Sequence, residues 1–330
     1  MDSCIIMTMR IMTMRWLILL LIGLSTSPAR GANGRTVLRR SKATPPPPEL
    51  LSAIEGLGKL GFKPRPEHRH GWFAWTPGCD CRTFMLCWGL ERSYRSQLRV
   101  AGHEHDLWAW VYDGEANAAL AQENYEWLGR THHYSVVLER RGSTVVVLEG
   151  PGKAPEESRL RGALGHALPA RPPRAWLPGP TRVAASQPVR GPVTRERLLD
   201  PATPDAELPA LATAYERQGS PEVQRILNQR GMRFHRTRQL ARAAIAFELA
   251  IGDASTALPV YNRACVAGLQ GDALRTVVWL WRLVRAPHLY GTDGTYDSSD
   301  LLRRARTDRD FTAVRRSPEF HAFAPCLEGR

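Results

Sequence analysis

The chain has 330 residues, 43% of them hydrophobic, enough for two folded domains. Its formal charge of +13 rests on 45 basic residues, all but four of them arginine. They are spread along the chain with no run of five or six, unlike the stripe that a nucleic-acid binder gathers, so no nucleic-acid partner is expected.

Arg10 and Arg15 precede Trp16–Leu24, an apolar run of nine residues. Ala29-Arg30-Gly31, or Ser27-Pro28-Ala29, then offers small residues at the spacing a signal peptidase reads. Residues 1–31 therefore read as a secretory signal, because the run is too short to cross a bilayer as a helix. The alternative is a retained single anchor, and only then is a membrane a partner. Cys4 lies ahead of the run, out of place for a lipoprotein cysteine, and one of the later methionines is an alternative start. Residues 32–48, ending in Pro45–Pro48, form a stiff basic tether.

Residues 49–168 are expected to form a small α+β domain: an antiparallel sheet with helices on one face. Glu49–Leu57 has helical spacing. Leu107–Tyr112 reads as a strand stopped by Asp113-Gly114. Ala116–Leu128 reads as a helix with Ala119, Leu120, Tyr125 and Leu128 inward. Tyr134–Glu139 and Thr144–Leu148 form a hairpin, and Glu156–Leu168 closes the domain.

Six of the ten histidines lie between 68 and 133, as the pairs His68/His70, His103/His105 and His132/His133. Neutral imidazoles ligate zinc or copper, so these six are candidate metal ligands, and a metal-dependent envelope enzyme is the competing reading. Antiparallel neighbours enter a sheet from opposite ends, however, which works against convergence of all three pairs. His103-Glu104-His105-Asp106 lacks the helix that would set two histidines on one face. Cys79, Cys81 and Cys87 are the disulfide candidates of an oxidising compartment, with Cys87 joined to Cys79 or to Cys81. No G-x-S-x-G, H-E-x-x-H, P-loop or helix-opening G-x-G-x-x-G occurs, so neither a catalytic residue nor a cofactor is expected.

A Pro- and Arg-rich linker is expected over 169–204, and a helical domain over 205–327. Within the latter the chain matches itself at a shift of 34. Leu227 meets Tyr261, Asn228 meets Asn262, Gly231 meets Cys265, Phe247 meets Trp281, and Ala250 meets Val284. The implied helices are 223–237, 239–251, 257–269 and 272–285. Gly231, Ala264 and Cys265 would be holes, and Phe247, Trp279 and Trp281 knobs. Gly231, Phe234, Ala243, Phe247 and Ala250 stand at the small and aromatic positions of the tetratricopeptide pattern, which residues 225–286 resemble. Asp308-Arg309-Asp310-Phe311, followed by Arg315–Phe320, resembles the segment that closes over the last repeat in bacterial proteins of that kind. Gly268 departs from the pattern, which has a large residue there, and only two units are visible. The helix near 205–218 and the closing segment must therefore supply the missing neighbours.

The resemblance implies a binding scaffold rather than a catalyst. Its groove would be lined by Arg225, Asn228, His235, Arg236, Asn262 and Gln270. Arginine and asparagine there suit an extended protein or peptide segment, an acidic one by charge. The expectation is thus a secreted or periplasmic bacterial adaptor with no cofactor.

Overall fold

The computed structural model describes residues 48–59, 63–64, 73–75, 79–100, 103–132, 136–149, 191–218, 222–251, 255–285, 290–291 and 297–328. The expected signal, the tether, His68, His70, His133 and the expected closing helix 156–168 lie outside these. The chain divides into two compact units, with the boundary at Arg171/Pro172. The first is α+β and the second is helical. No helix among the described residues is long and apolar enough to cross a membrane.

In the first unit, α1 (Pro48–Lys59), β1 (Lys63–Pro64), β2 (Phe73–Trp75) and α2 (Phe84–Cys87) precede the long strands. These are β3 (Leu90–Val100) and β4 (His103–Tyr112), then β5 (Val136–Arg141) and β6 (Thr144–Glu149), with α3 (Glu115–His132) between the two hairpins. The antiparallel order is β3-β4-β6-β5, and β1 and β2 pair with β3. Trp108, Trp110 and Tyr112 project from one face of β4 onto Ala118 and Ala121 of α3. Trp110 stacks on Tyr125, ring centroids 4.4 Å apart. Tyr112 donates to the Leu86 carbonyl at 2.8 Å, tying α2 to β4, and burial pushes its phenol pKa up.

The structure adds to the reading of this unit and corrects it at one helix. Strand β3 was not foreseen, because serine hides its period: Tyr94, Ser96 and Leu98 are the buried alternate set. The inward residues of α3 include Ala118 and Ala121, whereas Ala119 is only half-buried. The sheet is also buried on both faces. Leu107, Ala109, Val146 and Leu148 are fully buried on the side away from the Trp108 face.

The second unit starts earlier than the expected linker allowed. α4 (Arg195–Leu199) is capped by Thr194, whose hydroxyl accepts from Arg197 N at 3.2 Å. Leu198 is fully buried, so residues 195–204 belong to the fold. A 3-10 turn, Asp205–Glu207, leads to α5 (Leu208–Arg217). Then come α6 (Val223–Arg236), α7 (Leu240–Ile251), α8 (Ala257–Leu269) and α9 (Ala273–Arg285), each within a residue or so of its sequence-derived bounds. A short parallel pair, β7 (Ser255–Thr256) with β8 (Tyr290–Gly291), flanks α8 and α9. The closing part is α10 (Ser298–Ala305), a 3-10 turn over Arg309–Phe311, α11 (Pro318–Phe323) and a last 3-10 turn, Ala324–Glu328.

The two hairpins turn alike. Gln239 N donates to Phe234 O at 2.9 Å, and Asp272 N to Ala267 O at 3.0 Å, each closing a six-residue loop. The residue before each donor is left-handed: Arg238 at φ 59 and Gly271 at φ 75. Helices α6 and α8 begin at Val223 and Ala257, the spacing of the self-match. Ahead of them, α4 and α5 cover α6, where Leu198, Leu211, Ile226, Leu227 and Ala250 share one apolar cluster. Behind them, α10 and α11 pack on α9. The two visible hairpins therefore gain neighbours on both sides, as a short stack of helices requires.

Candidate protein-interaction face

The first helices of the two hairpins, α6 and α8, carry the residues expected to line a groove. Their spacing has a direct physical signature: Asn262 Nδ2 donates to Asn228 Oδ1 at 2.9 Å across 34 residues of chain. Gly231 is the hole expected of it. A Cβ placed there would lie 2.5 Å from Phe247 Cε1 and 2.6 Å from Cδ1. Phe247 fills that hole and is closed in by Phe234, Ala243 and Val266. Trp281, the matching knob of the second hairpin, is also fully buried. Trp279 has a different job. It is flanked by the guanidiniums of Arg263, at 5.4 Å, and Arg282, at 4.2 Å, while Arg263 donates to Glu248 of the first hairpin at 2.8 Å.

The face of α8 is not open. Tyr261, Asn262 and Ala264 to Gly268 are all buried. What lies on α8 is the closing segment. Tyr261 Oη donates to Asp308 Oδ2 at 2.8 Å, and the Tyr261 and Phe311 rings meet edge-on, 5.8 Å apart at 86°. His235 Nε2 lies 2.9 Å from Asp310 Oδ2. A Cβ on Gly268 would sit 2.6 Å from the Asp310 carbonyl oxygen and 2.7 Å from Phe311 Cδ1. Gly268, the departure from the tetratricopeptide pattern, is thus the position that lets this segment approach the helix. Burial pushes the Cys265 thiol well up, and the Asp308 and Asp310 carboxylates add to that. Burial likewise raises the Tyr261 phenol, with Cys265 and Asp308 adding to it, so both groups hold their protons at neutral pH.

The expected groove residues therefore divide. Asn228 and Asn262 are spent on each other and His235 on Asp310. Arg225 is exposed and paired with Glu222 at 2.5 Å, which holds that carboxyl below its ordinary range. Arg236 and Gln270, at the C-terminal ends of α6 and α8, are exposed. Three of the six are committed within the fold.

The polar centre that sequence reasoning missed is Arg230. Its side chain is 1% exposed. Nη1 donates to the Leu198 and Asp200 carbonyls at 3.0 and 2.5 Å, and Nη2 to Thr203 O at 2.7 Å. Asp205 Oδ1 lies 3.4 Å from Nη2 and also takes a 3.3 Å bond from Arg242, whose Nε meets Asp205 Oδ2 at 2.9 Å. Both guanidiniums stack on Phe234, at 5.0 and 4.1 Å. Burial pulls the Arg230 pKa down and Asp205 opposes that. A signal existed: Val223, Ile226, Leu227, Arg230, Gly231 and Phe234 form one buried helical stripe. An arginine on such a stripe must find acceptors.

Among the described residues no group of three or more His, Cys, Asp or Glu is placed to hold a metal ion. His103 and His105 both lie in β4, His105 buried, and His132 ends α3. Within His103–Asp106 the acidic residues are taken by the neighbouring strand: Asp106 by Arg95 at 2.8 Å, Glu104 by Arg99 at 3.1 Å. Arg95 also lies 4.6 Å over Trp108. Of the two disulfides the sequence left open, Cys79–Cys87 forms, with Cα atoms 6.0 Å apart. Cys265 is free and buried.

No family model, curated protein or solved structure matches the chain. Function therefore has to be argued from the internal 34-residue match and its geometry.

Proposed function

We propose that the protein is a non-catalytic secreted or periplasmic bacterial adaptor whose helical unit is a short tetratricopeptide-like scaffold for a protein or peptide partner. The observation that carries this reading is the pair of like-turned hairpins at the self-match spacing, with Asn228 bonded to Asn262 and Gly231 receiving Phe247. Small-into-large packing of this kind builds stacked helices that offer surface rather than a reaction cavity. The Cys79–Cys87 disulfide suits an oxidising compartment. Arg236 and Gln270 are exposed at the C-terminal ends of α6 and α8, and Arg233, which also donates to Leu199 O at 3.3 Å, and Arg238 are exposed near the end of α6, which favours an acidic partner.

The test is affinity capture from the envelope fraction, identification of the captured protein, and titration of that purified protein with variants. Arg236→Glu with Arg233→Glu should weaken binding at least about tenfold, the loss of one or two charge-assisted contacts. Equal affinity for wild type and variant would count against this face.

A further inference from the structure

The closing segment is more than filler, because the way it is held reads as peptide recognition. We propose that the face made by His235, Tyr261 and Gly268 recognises an Asp-x-Asp-Phe peptide. The chain's own Asp308–Phe311 is its resident ligand, and a partner of the same chemistry enters by displacing it. This rests on the scaffold reading of the helical unit and goes beyond it by naming the ligand and the gate.

The contacts come from both hairpins. Asp310 is met by His235 of α6, and Asp308 by Tyr261 of α8. Between them the missing Cβ of Gly268 admits backbone and ring. Phe311 is fully buried, whereas the Asp308 and Asp310 side chains keep 14% and 21% exposure. A buried aromatic anchor with polar groups at its rim is the layout of a binding hot spot. The charged groups around it are few. Arg304 Nε meets Asp308 Oδ2 at 3.2 Å, and Arg315 Nη2 donates to the Asp308 carbonyl at 2.7 Å. Both belong to the closing part itself; from α6 and α8 the carboxylates are met by His235 and Tyr261. Tethering gives the resident segment an effective concentration of about millimolar. A free copy of the peptide therefore cannot compete, and a natural partner needs further contacts, for which Arg236, next to His235 in the chain, and Gln270, two residues after Gly268, are exposed.

The probe is a fluorescein-labelled peptide of residues 306–314 added to the full-length chain. Wild type should not bind it below about 100 µM, given that effective concentration. Asp310→Ala/Phe311→Ala, which empties the face, should bind it saturably. A scrambled peptide should not bind, and His235→Ala in the same background should weaken binding at least about tenfold. A variant with native circular dichroism that ignores the peptide overturns the proposal, as does equal binding of the scrambled sequence. Should the double variant fail to fold, Phe311→Ala alone vacates the anchor position while Asp308 and Asp310 stay in the chain. The peptide should then raise its melting temperature by several degrees and leave wild type unmoved, since a ligand that binds only the native state stabilises it. No shift in Phe311→Ala overturns the proposal equally. Peptide binding by the variant with no partner captured from the envelope would sink the adaptor reading alone.

Discussion

Gly231→Ala sets two opposed effects against each other on one methyl group. In an ordinary helix interior, Gly→Ala gains about 1 kcal/mol. At Gly231 the new Cβ falls 2.5 to 2.9 Å from three carbons of Phe247, so the ring must move by about 1 Å to reach ordinary contact. It has nowhere to go: Phe247 is fully buried against Phe234, Ala243 and Val266. Overpacking of this kind costs about 1–3 kcal/mol. The net expectation is a loss of about 1 kcal/mol, or a roughly fivefold larger opening equilibrium for α6 and α7. Hydrogen exchange followed by mass spectrometry on peptides from 222–251 reads that directly. Adding Phe247→Leu frees room, so the double variant should be more stable than the sum of the two single changes by about 1–2 kcal/mol. Slower exchange in Gly231→Ala, or strict additivity in the double variant, would refute the reasoning.

Other perturbations have signs fixed by the same geometry. Arg230→Ala removes the donor from three carbonyls and should cost at least about 3 kcal/mol, read as lost exchange protection over 194–207. Arg230→Lys should recover little of it, because a single ammonium cannot span acceptors that a planar fork reaches. Arg238→Gly relieves a left-handed residue where the second hairpin already has Gly271, and should raise thermal stability by about 1 kcal/mol. Breaking Cys79–Cys87 by Cys79→Ser/Cys87→Ser frees a short loop and should cost the first unit about 2–3 kcal/mol, seen as a lower midpoint in urea.

Much of the helical unit was legible because its signals are local. A 3.6-residue period and a fixed 34-residue spacing placed four helices to within a residue or so, and marked Gly231 as a hole and Phe247 as a knob. Strand β3 was not legible, since Ser93 and Ser96 occupy buried positions where a reader expects apolar side chains. The groove was legible only in part. Asn228, His235 and Asn262 are polar residues on the expected face, but their partners are an asparagine 34 residues away and an aspartate 75 residues away. Tertiary pairing at that range leaves no local trace. Gly268 was noticed as an anomaly, and its explanation needed the position of Asp310. The segment 195–204 read as linker because Pro and Arg dominate around it, while its carbonyls are held by the buried Arg230. The histidine pairs drew the eye by composition, yet strand alternation in β4 and pairing with β3 decide what their acidic neighbours do.

The most direct test of the two-hairpin scaffold with its own segment docked on it is a pair of nuclear Overhauser measurements on the full-length chain, with glycine and phenylalanine protonated in an otherwise deuterated background. The account predicts strong cross-peaks from the Gly231 α protons to the Phe247 ring, and from the Gly268 α protons to the Phe311 ring. Loss of the first would dissolve the repeat packing. Loss of the second, with the first intact, would leave the hairpins standing and remove the docked segment on which the recognition proposal depends.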